Sequence, residues 1–464
     1  MSGRADWGQT TQGKRHLSRL VGVLLVGDQI MLHGAFVLAF LLRYAGTLPA
    51  YNFVPYLQLS PWISALFLLY GYAYQLYSSR PRRWADEFTG VILTVLLTIL
   101  SSVGLSYFAY YFAFPRTVFA IATGLQIVIL SGWRWFMHRR FLQPAWRQRL
   151  LVVGEPVAAA ELAAELSRYG EVAGIVVPEG EEATPAPAAG AVPVLGSWSR
   201  IEEIVETVQP EAVVLTAGLS EEAKARLVNL IVRFPVAIRI IPSVYDILLA
   251  SSRLTQMEDI PLYEIQGPLL TGQWVPAKRL LDVILAGVGL LVVAPLLLVV
   301  AAAVRLDSRG PVLYTQKRLT EGGREFVLYK FRTMVKGAEA LSGPVLASRD
   351  DPRVTRVGKI LRATRLDELP QLYNVLRGDL SLIGPRPERP FFVRRHLDQI
   401  PGYQHRLQVK GGITGLAQVA GRYSTPTEQK LLFDLIYARS CSPLMDLYIL
   451  LHTLRVMMVK ERSD

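Results

Sequence analysis

The chain has 464 residues, of which 51% are hydrophobic, and it carries a formal net charge of +12. The apolar residues are gathered in blocks, which favours a membrane protein with soluble parts over one large soluble core. The single cysteine, Cys441, excludes an intrachain disulfide and a cysteine-rich metal site.

Basic residues flank the apolar blocks, near the N-terminus, at residues 80–83 and at residues 134–149. Lysine and arginine beside membrane spans explain this excess better than nucleic-acid binding does, so no nucleic-acid partner is expected. The first apolar run is too long for a signal peptide and lacks a small-residue cleavage site. We therefore interpret it as a retained span.

Four apolar runs have the length of roughly 20 residues that a helix needs to cross a bilayer. The basic residues lie mostly on one side of these runs, with Arg43 and Arg116 on the other. The positive-inside rule then places both ends in the cytoplasm. Residues 1–145 are predicted to form a four-helix transmembrane bundle with these spans: Leu20–Leu42, Tyr56–Tyr77, Phe88–Phe112 and Val118–Phe136.

The sequence predicts where Asp28 and the aromatic residues of this bundle lie relative to the membrane. A charged Asp28 is costly in a bilayer, so we expect it to face the bundle interior as a polar packing contact. A role in transport or lipid handling is the alternative. An interfacial belt is predicted for these aromatic residues: Trp62, Tyr70, Tyr72, Tyr74, Tyr77 and Trp133.

Residues 146–245 alternate strand-like and helix-like runs, which predicts a Rossmann-like α/β domain with a parallel, doubly wound sheet. The turn after its first strand keeps only Gly154 of the dinucleotide fingerprint. Pro156 lacks an amide donor and Glu155 repels phosphate. We therefore predict a structural or regulatory domain without catalysis. Its strands are predicted at Leu150–Val153, Val172–Val177, Ala212–Leu215 and Val236–Ile241, and its helices at Val157–Ser167, Trp198–Val208 and Glu221–Phe234.

Residues 246–277 are predicted to be a connector with little periodicity. The apolar segment Leu280–Val304 follows, with basic residues at both flanks and Pro295 in its middle. A proline inside a helix removes a hydrogen bond and bends the helix. The flanks favour a kinked, re-entrant membrane helix that returns to the cytoplasmic side, and a plain fifth span is the alternative.

Residues 278–464 are predicted to combine this helix with an α-rich cytoplasmic domain. That domain begins with a hairpin of Val312–Lys317 and Glu325–Phe331. Its last apolar run, Leu444–Val459, contains charged residues and is predicted to pack or to lie at the membrane interface.

The acidic pair Asp367-Glu368 follows a helical pattern at Val357–Arg365. The proline after Leu369 disfavours a helical conformation there, which places Asp367 at a helix junction. Capping of the next helix is the plain interpretation. The same pair also suits chemistry on phosphates: one carboxylate could attack phosphorus while the other holds a divalent cation.

Arginines surround this pair in the sequence, namely Arg362, Arg365 and Arg386. A helix N-terminus and fixed cations together favour phosphate binding. Two prolines stiffen the turn Gly384-Pro385-Arg386-Pro387, so Arg386 is expected to be held in place. An ordinary surface turn is the alternative.

In these motifs the chain resembles the bacterial sugar transferases, the polyprenyl-phosphate hexose-1-phosphate transferases. It resembles most closely the large members with four N-terminal spans and a nucleotide-binding-like middle domain. The matching strings run in order: Lys278-Arg279, Tyr329–Met334, Asp351–Gly358, Asp367-Glu368, Asn374, Gly378-Asp379, Gly384–Glu388 and Ile413–Val419.

The resemblance implies transfer of a hexose-1-phosphate from a UDP-sugar to undecaprenyl phosphate, with Mg²⁺, at the cytoplasmic face of a bacterial inner membrane. It implies that Asp367 is the nucleophile that forms a covalent phosphosugar intermediate and that Glu368 lies with the metal. Such a protein would begin exopolysaccharide, capsule or O-antigen synthesis on the lipid bilayer.

Further site residues follow from the same resemblance. Arg362 and Arg386 are expected to contact phosphates, as are Lys330 and Arg332 of the second string. Asp446 is a candidate additional acid. The middle domain, which lacks a catalytic signature, is expected to serve contacts in a homodimer.

The chain also departs from the family pattern. The usual Pro-Gly-Ile-Thr-Gly is Gly411–Gly415 here, which is expected to loosen that turn. Leu416 replaces a frequent aromatic residue and Tyr423 replaces an asparagine. These departures leave the transferred sugar open, with glucose and galactose as the expected choices.

Two alternative functions would require other residues than the ones found here. A membrane-anchored sugar-nucleotide dehydratase or epimerase needs the full glycine fingerprint and a Tyr-x-x-x-Lys pair, and the sequence has neither. A non-enzymatic scaffold or regulator would sense a nucleotide through the middle domain. Such a scaffold or regulator would not require the acidic pair and the arginines together.

Overall fold

The computed structural model describes the chain as two compact units, Met1–Ile241 and Pro242–Asp464. The structure describes all residues except the following: 1–7, 79–82, 109–114, 143–148, 168–169, 182–191, 251, 258–259, 265–273, 336, 339–350, 422–424 and 459–464.

Four long helices open the first unit, and each is long and apolar enough to cross a membrane. The aromatic side chains of Phe36, Phe40, Tyr56 and Phe119 pack together between them. All four predicted spans overlap these helices, so several apolar N-terminal helices are confirmed. The helices are α1 (Gly8–Arg43), α2 (Ala50–Ala73), α3 (Trp84–Phe108) and α4 (Arg116–Met137).

A buried ionic network joins helices α1, α3 and α4 and the turn that follows α2. Arg134 is 1% exposed and binds both Asp28, through its Nε at 3.2 Å, and Glu87, through its Nη1 at 3.1 Å. Glu87 Oε2 lies 2.7 Å from His138 Nδ1, and the Tyr77 hydroxyl donates to Asp28 at 3.0 Å. Asp28 therefore faces the bundle interior, as predicted.

The same network corrects one prediction. Arg134 was grouped with the basic residues that flank the spans, but it is a buried partner of two carboxylates. Its guanidinium lies inward because a helix that is apolar on its lipid side turns its polar groups toward its neighbours. Tyr74, at the end of α2, is fully buried in the protein, and its place at the membrane interface stays a prediction.

The rest of the first unit is a parallel α/β domain, which confirms the Rossmann-like prediction. Its sheet has the strand order β3-β2-β1-β4-β5, which matches the first five strands of the doubly wound order 3-2-1-4-5-6. The strands are β1 (Arg149–Val153), β2 (Glu171–Val177), β3 (Val194–Ser197), β4 (Ala212–Leu215) and β5 (Ala237–Ile240). The helices are α5 (Pro156–Leu166), α6 (Ile201–Val208) and α7 (Glu221–Ile231).

Gly154 ends strand β1 against the neighbouring strand β4. A Cβ at this position would lie 2.0 Å from Thr216 Oγ1, so only glycine fits. The close approach of two chain segments thus explains the one glycine that survives from the dinucleotide fingerprint.

The second unit begins with residues that were predicted to be a connector. Helix α8 (Val244–Ala250) buries Ile247 against Val393, Tyr403 and Leu435. A hairpin follows, formed by β6 (Arg253–Met257) and β7 (Ile260–Glu264).

Helix α9 (Trp274–Asp307) contains Pro295 and is the fifth helix in the described residues with the length and hydropathy of a span. Near its start, Ala286 is buried in a cluster with Val375. Near its end, Val304 is buried against Phe331. Much of its remaining apolar surface, such as Leu291, is exposed.

The other elements of the second unit pack beside α9. Strands β8 (Leu313–Leu319) and β9 (Glu325–Phe331) form the predicted hairpin, and β10 (Ser381–Ile383) pairs in parallel with β11 (Gly412–Thr414). The last helix buries Ile449 and Val456, so the apolar run at the C-terminus packs against the domain. The helices are α10 (Arg356–Thr364), α11 (Gln371–Arg377), α12 (Pro390–Gln399), α13 (Leu416–Ala420), α14 (Thr427–Ser440) and α15 (Pro443–Met458).

Candidate active site

The acidic pair lies in a 3₁₀ turn, Leu366–Glu368, between α10 and α11. Helix α10 ends because Arg365 adopts a left-handed conformation, with φ of 57°. The pair is thereby displayed on a tight turn between two helices.

The structure corrects the predicted backbone at this junction. Pro370, and not Asp367, is the N-cap of α11. Leu369 is helical, with φ of −56° and ψ of −35°, although it precedes a proline. Its amide bonds to the carbonyl of Leu366, so the hydrogen bonds of the turn override the local preference for an extended conformation.

Two cations hold Glu368. Lys330 Nζ lies 2.9 Å and Arg386 Nη2 lies 2.7 Å from its Oε1. Burial alone would raise the pKa of Glu368, but Arg386 and Lys330 outweigh burial and hold that pKa well below the usual range. Glu368 is therefore ionised and fixed in orientation.

Asp367 is held differently. Within the described part of the chain, its carboxylate has no ion pair or hydrogen bond with another residue's side chain. Burial and the negative charge of Glu368 raise the pKa of Asp367, and Lys330 and Arg362 act against this rise. A partly buried carboxylate of raised basicity, with no fixed partner, has the properties of a nucleophile.

Two more predicted residues join this cluster. Arg362 lies close enough for its charge to act on Asp367, and its Nε donates to Thr333 Oγ1 at 3.0 Å. The side chain of Arg386 is 43% exposed, so its guanidinium can reach a ligand as well as Glu368. The structure thus brings together Asp367, Glu368, Lys330, Arg362 and Arg386.

Arg332 is placed elsewhere, which corrects its expected role in phosphate binding. Its guanidinium donates to the carbonyls of Ser308 and Arg309, each at 2.7 Å, and to that of Val304 at 3.3 Å. These carbonyls lie at and just beyond the C-terminus of α9, where unpaired acceptors attract a cation. Arg332 stabilises the end of that helix.

Asp446 also forms a separate cluster. Its carboxylate accepts from Lys278 Nζ and the Tyr437 hydroxyl, each at 2.8 Å, and from Trp274 Nε1 at 3.3 Å. This cluster anchors the start of α9. Asp446 has no recorded contact with Asp367 or Glu368 in the described residues.

Lys278-Arg279 has a structural explanation on the same helix. Arg279 donates to the carbonyls of Val375 and Leu376, at 2.6 and 2.9 Å, near the end of α11. Arg279 of this motif therefore holds α9 against α11, the helix that follows the acidic pair.

Both backbone polar groups of Gly411 have hydrogen-bond partners. Its amide donates to Thr320 Oγ1 at 3.2 Å, a bond that proline could not make, and its carbonyl accepts from Ser381 at 2.8 Å. Hydrogen bonds therefore hold the backbone of Gly411, and the looser turn relative to proline stays a prediction.

A divalent cation fits the acidic pair. Lys330 and Arg386 both bind Oε1 of Glu368, and within the described residues Oε2 has no recorded partner. Together with the carboxylate of Asp367 this leaves hard oxygen ligands side by side, the type that Mg²⁺ prefers. The described residues contain no cluster of three or more His, Cys, Asp or Glu for a metal. A bound Mg²⁺ would therefore need other ligands, and substrate phosphates and water are its usual choice.

Sequence analysis missed Arg406, which is buried against the turn that carries Arg386. Arg406 lies in a short segment before Gly411, and no sequence pattern there distinguishes it from the surface arginines of this chain.

Two family profiles match the chain. The bacterial sugar transferase profile matches residues 273–460 and a CoA-binding domain profile matches residues 73–242. Among curated relatives, the UDP-glucose:undecaprenyl-phosphate glucose-1-phosphate transferase of Escherichia coli (strain K12) is 31% identical over 390 residues, covering 81% of this chain and 82% of the relative.

Other relatives match over shorter segments. The UDP-N-acetylgalactosamine-undecaprenyl-phosphate N-acetylgalactosaminephosphotransferase of Aeromonas hydrophila is 40% identical over 221 residues, 46% of this chain and 52% of the relative. The undecaprenyl-phosphate galactose phosphotransferase of Salmonella typhimurium is 34% identical over 217 residues, 44% of this chain and 45% of the relative. In these two matches the chain spans about half the length of the relative. The profile over the second unit and the long match to the Escherichia coli relative establish that the chain belongs to the bacterial sugar transferase family.

Proposed function

We propose that this protein transfers hexose-1-phosphate from a UDP-sugar to undecaprenyl phosphate. The observation that carries the proposal is the contrast within the acidic pair: Glu368 is fixed by Lys330 and Arg386, whereas Asp367 has no ion-pair partner among the residues that the structure describes. A free carboxylate beside fixed cations is the arrangement needed for attack on a phosphate diester. The names of the curated relatives support the same reaction.

The reaction proceeds in two displacements at one phosphorus. A carboxylate oxygen of Asp367 attacks the phosphorus that bears the sugar, the bond to the bridging oxygen breaks, and uridine monophosphate leaves with that oxygen. An oxygen of undecaprenyl phosphate then attacks the same phosphorus. This step releases Asp367 and gives the undecaprenyl diphosphate sugar.

The neighbouring residues have distinct roles in this scheme. Arg386 and Arg362 neutralise the diphosphate oxygens so that a carboxylate can approach phosphorus. Lys330 holds Glu368, whose second oxygen would hold Mg²⁺. The cation supplies charge stabilisation for the leaving phosphate.

The membrane helix α9 is proposed to be re-entrant. Ala286 and Val300 lie about 21 Å apart along a straight helix of 1.5 Å rise per residue, yet both pack into the same second unit. A straight span through roughly 30 Å of hydrocarbon would separate its two ends. A bend at Pro295 returns the chain to the face it entered, which we take to be the cytoplasmic face of the bacterial inner membrane.

Accessibility labelling tests this placement. We expect a cysteine introduced at Arg305, in the last turn of α9, and one introduced at Arg140, after α4, to react with an impermeant maleimide in inverted inner-membrane vesicles, whose cytoplasmic face is outward, and not in intact cells. A cysteine at Leu48, between α1 and α2, is the control for the opposite side, and Cys441 is first replaced by serine. Labelling of the Arg305 position together with the Leu48 position would contradict re-entry.

A donor panel tests the reaction. We expect purified membranes with undecaprenyl phosphate to release uridine monophosphate from one of UDP-glucose, UDP-galactose or UDP-N-acetylgalactosamine, and to release little without the lipid acceptor. The choice among these sugars is the measurement that assigns the donor. Failure to release the nucleotide from any of them in the presence of Mg²⁺ would contradict the proposal.

The middle domain is proposed to serve assembly. Its parallel sheet ends in two edge strands, β3 and β5, and Ile240 on β5 is 42% exposed. Open edges of this kind are suited to contacts between copies of the chain in a homodimer.

A further inference from the structure

The turn that carries Arg386 is held at each of four successive carbonyls. The carbonyl of Pro385 accepts from the amide of Gly412 at 2.9 Å, and that of Glu388 accepts from the amide of Leu319 at 2.9 Å. Between them, two arginine side chains supply the remaining donors. The backbone of the turn is therefore fixed by groups from outside it.

Those two side chains belong to Arg318 and Arg406. Arg318 Nη1 donates to the carbonyl of Pro387 at 3.1 Å. Arg406 Nη2 donates to the carbonyl of Arg386 itself at 3.0 Å. The second contact is the more informative, because it acts on the residue whose guanidinium pairs with Glu368.

Arg406 is itself anchored on both sides. Its guanidinium lies 3.0 Å from Glu388 Oε1, two residues beyond Arg386, and 2.9 Å from Asp434 Oδ2 on α14. The Tyr403 hydroxyl accepts a further hydrogen bond. Asp434 is 2% exposed, on a helix whose Leu431 and Leu435 lie in the core, so this anchor is rigid.

We propose that Arg406 is a positioning residue, which sets the backbone of Arg386 and thereby aims its guanidinium at Glu368 and the substrate diphosphate. The inference rests on the proposed transferase function and adds a residue to it. Arg406 is 7% exposed and does not touch the acidic pair. It acts through Arg386 alone.

A double-mutant cycle tests this coupling. Arg406→Lys keeps the charge but cannot serve Arg386, Glu388 and Asp434 at once, because an ammonium lacks the planar fork of a guanidinium. We expect kcat/KM for the UDP-sugar to fall roughly 10- to 100-fold, the scale of a misplaced catalytic group. In an Arg386→Lys background, adding Arg406→Lys should lower kcat/KM by less than about threefold. The effects of residues that act as one unit are not additive.

A control separates positioning from folding. Arg134→Lys also alters a buried arginine between two carboxylates, but this arginine lies in the first unit. Its effect on kcat/KM per folded molecule should therefore multiply with that of Arg386→Lys. Unfolding temperatures of all variants are measured alongside. If the losses for Arg406→Lys and Arg386→Lys multiply, Arg406 acts independently and the inference is wrong.

A second measurement does not depend on activity. In the full chain, Arg406→Lys should speed hydrogen exchange at the amides of Gly412 and Leu319, which donate to carbonyls of the turn, while leaving that of α11 unchanged. Unchanged exchange at these two amides would overturn the inference even if the wild type is an active transferase. Faster exchange in the variant, together with a wild type that releases no uridine monophosphate, would instead overturn the proposed function and leave the positioning role supported.

Discussion

Replacement of Asp367 by asparagine is expected to abolish sugar-phosphate transfer, lowering kcat by roughly 10³-fold or more, the scale seen when a nucleophile is removed. An amide has nearly the shape of a carboxylate but no anionic oxygen to attack phosphorus. The measurement is release of uridine monophosphate from the donor chosen by the panel. Fold retention is expected, because Asp367 holds no ion pair in the described structure.

The covalent step gives this prediction a second measurement. Without lipid acceptor, the wild type should gain the mass of one hexose phosphate, and the Asp367→Asn variant should gain none. Asp398→Asn, which changes an exposed aspartate on α12, is the matched control and should keep both properties. An adduct that persists in the Asp367→Asn variant would move the nucleophile to another residue.

Replacement of Arg134 by methionine is expected to destabilise the helical bundle by about 3–5 kcal/mol, the cost of leaving a buried charge without its partner. Asp28 and Glu87 are 0% and 2% exposed, and both lose their cation in this variant. The measurement is the unfolding temperature of the purified protein in detergent. Arg139→Met, which changes an exposed arginine five residues later, is the control.

A combined variant tests the electrostatic cause. Asp28→Asn and Glu87→Gln remove the two negative charges, so adding them to Arg134→Met should recover much of the lost stability. If the triple variant is less stable than Arg134→Met alone, packing rather than charge explains the effect of Arg134.

The hydrophobic pattern predicted the large features of both units because burial in lipid or in a core needs long apolar runs. The four N-terminal helices and the parallel strands follow from it. Strand β3 was missed because its four residues, Val194–Ser197, include a glycine and follow a stretch rich in proline and alanine. Such a strand is stabilised by its pairing with β2 and by little of its own sequence.

The pairing of site residues that are distant in the sequence could not be predicted. The turn with Asp367 and Glu368 was recognisable from its motif, but Lys330 is 38 positions from Glu368 and their pairing is a property of the fold. Arg332 lies two residues from Lys330 and points to the end of α9 instead. Residues two positions apart share a face within a strand, but Arg332 lies just beyond the end of β9, where the sequence alone does not fix the direction of a long side chain.

The packing of α9 has a practical consequence for work on this protein. Because Ala286 and Val304 of α9 are core residues of the second unit, deleting the helix to obtain a water-soluble catalytic fragment would remove one wall of the domain. A water-soluble form would instead require polar substitutions at the exposed residues of α9, such as Leu291 and Leu298, while its buried residues are kept.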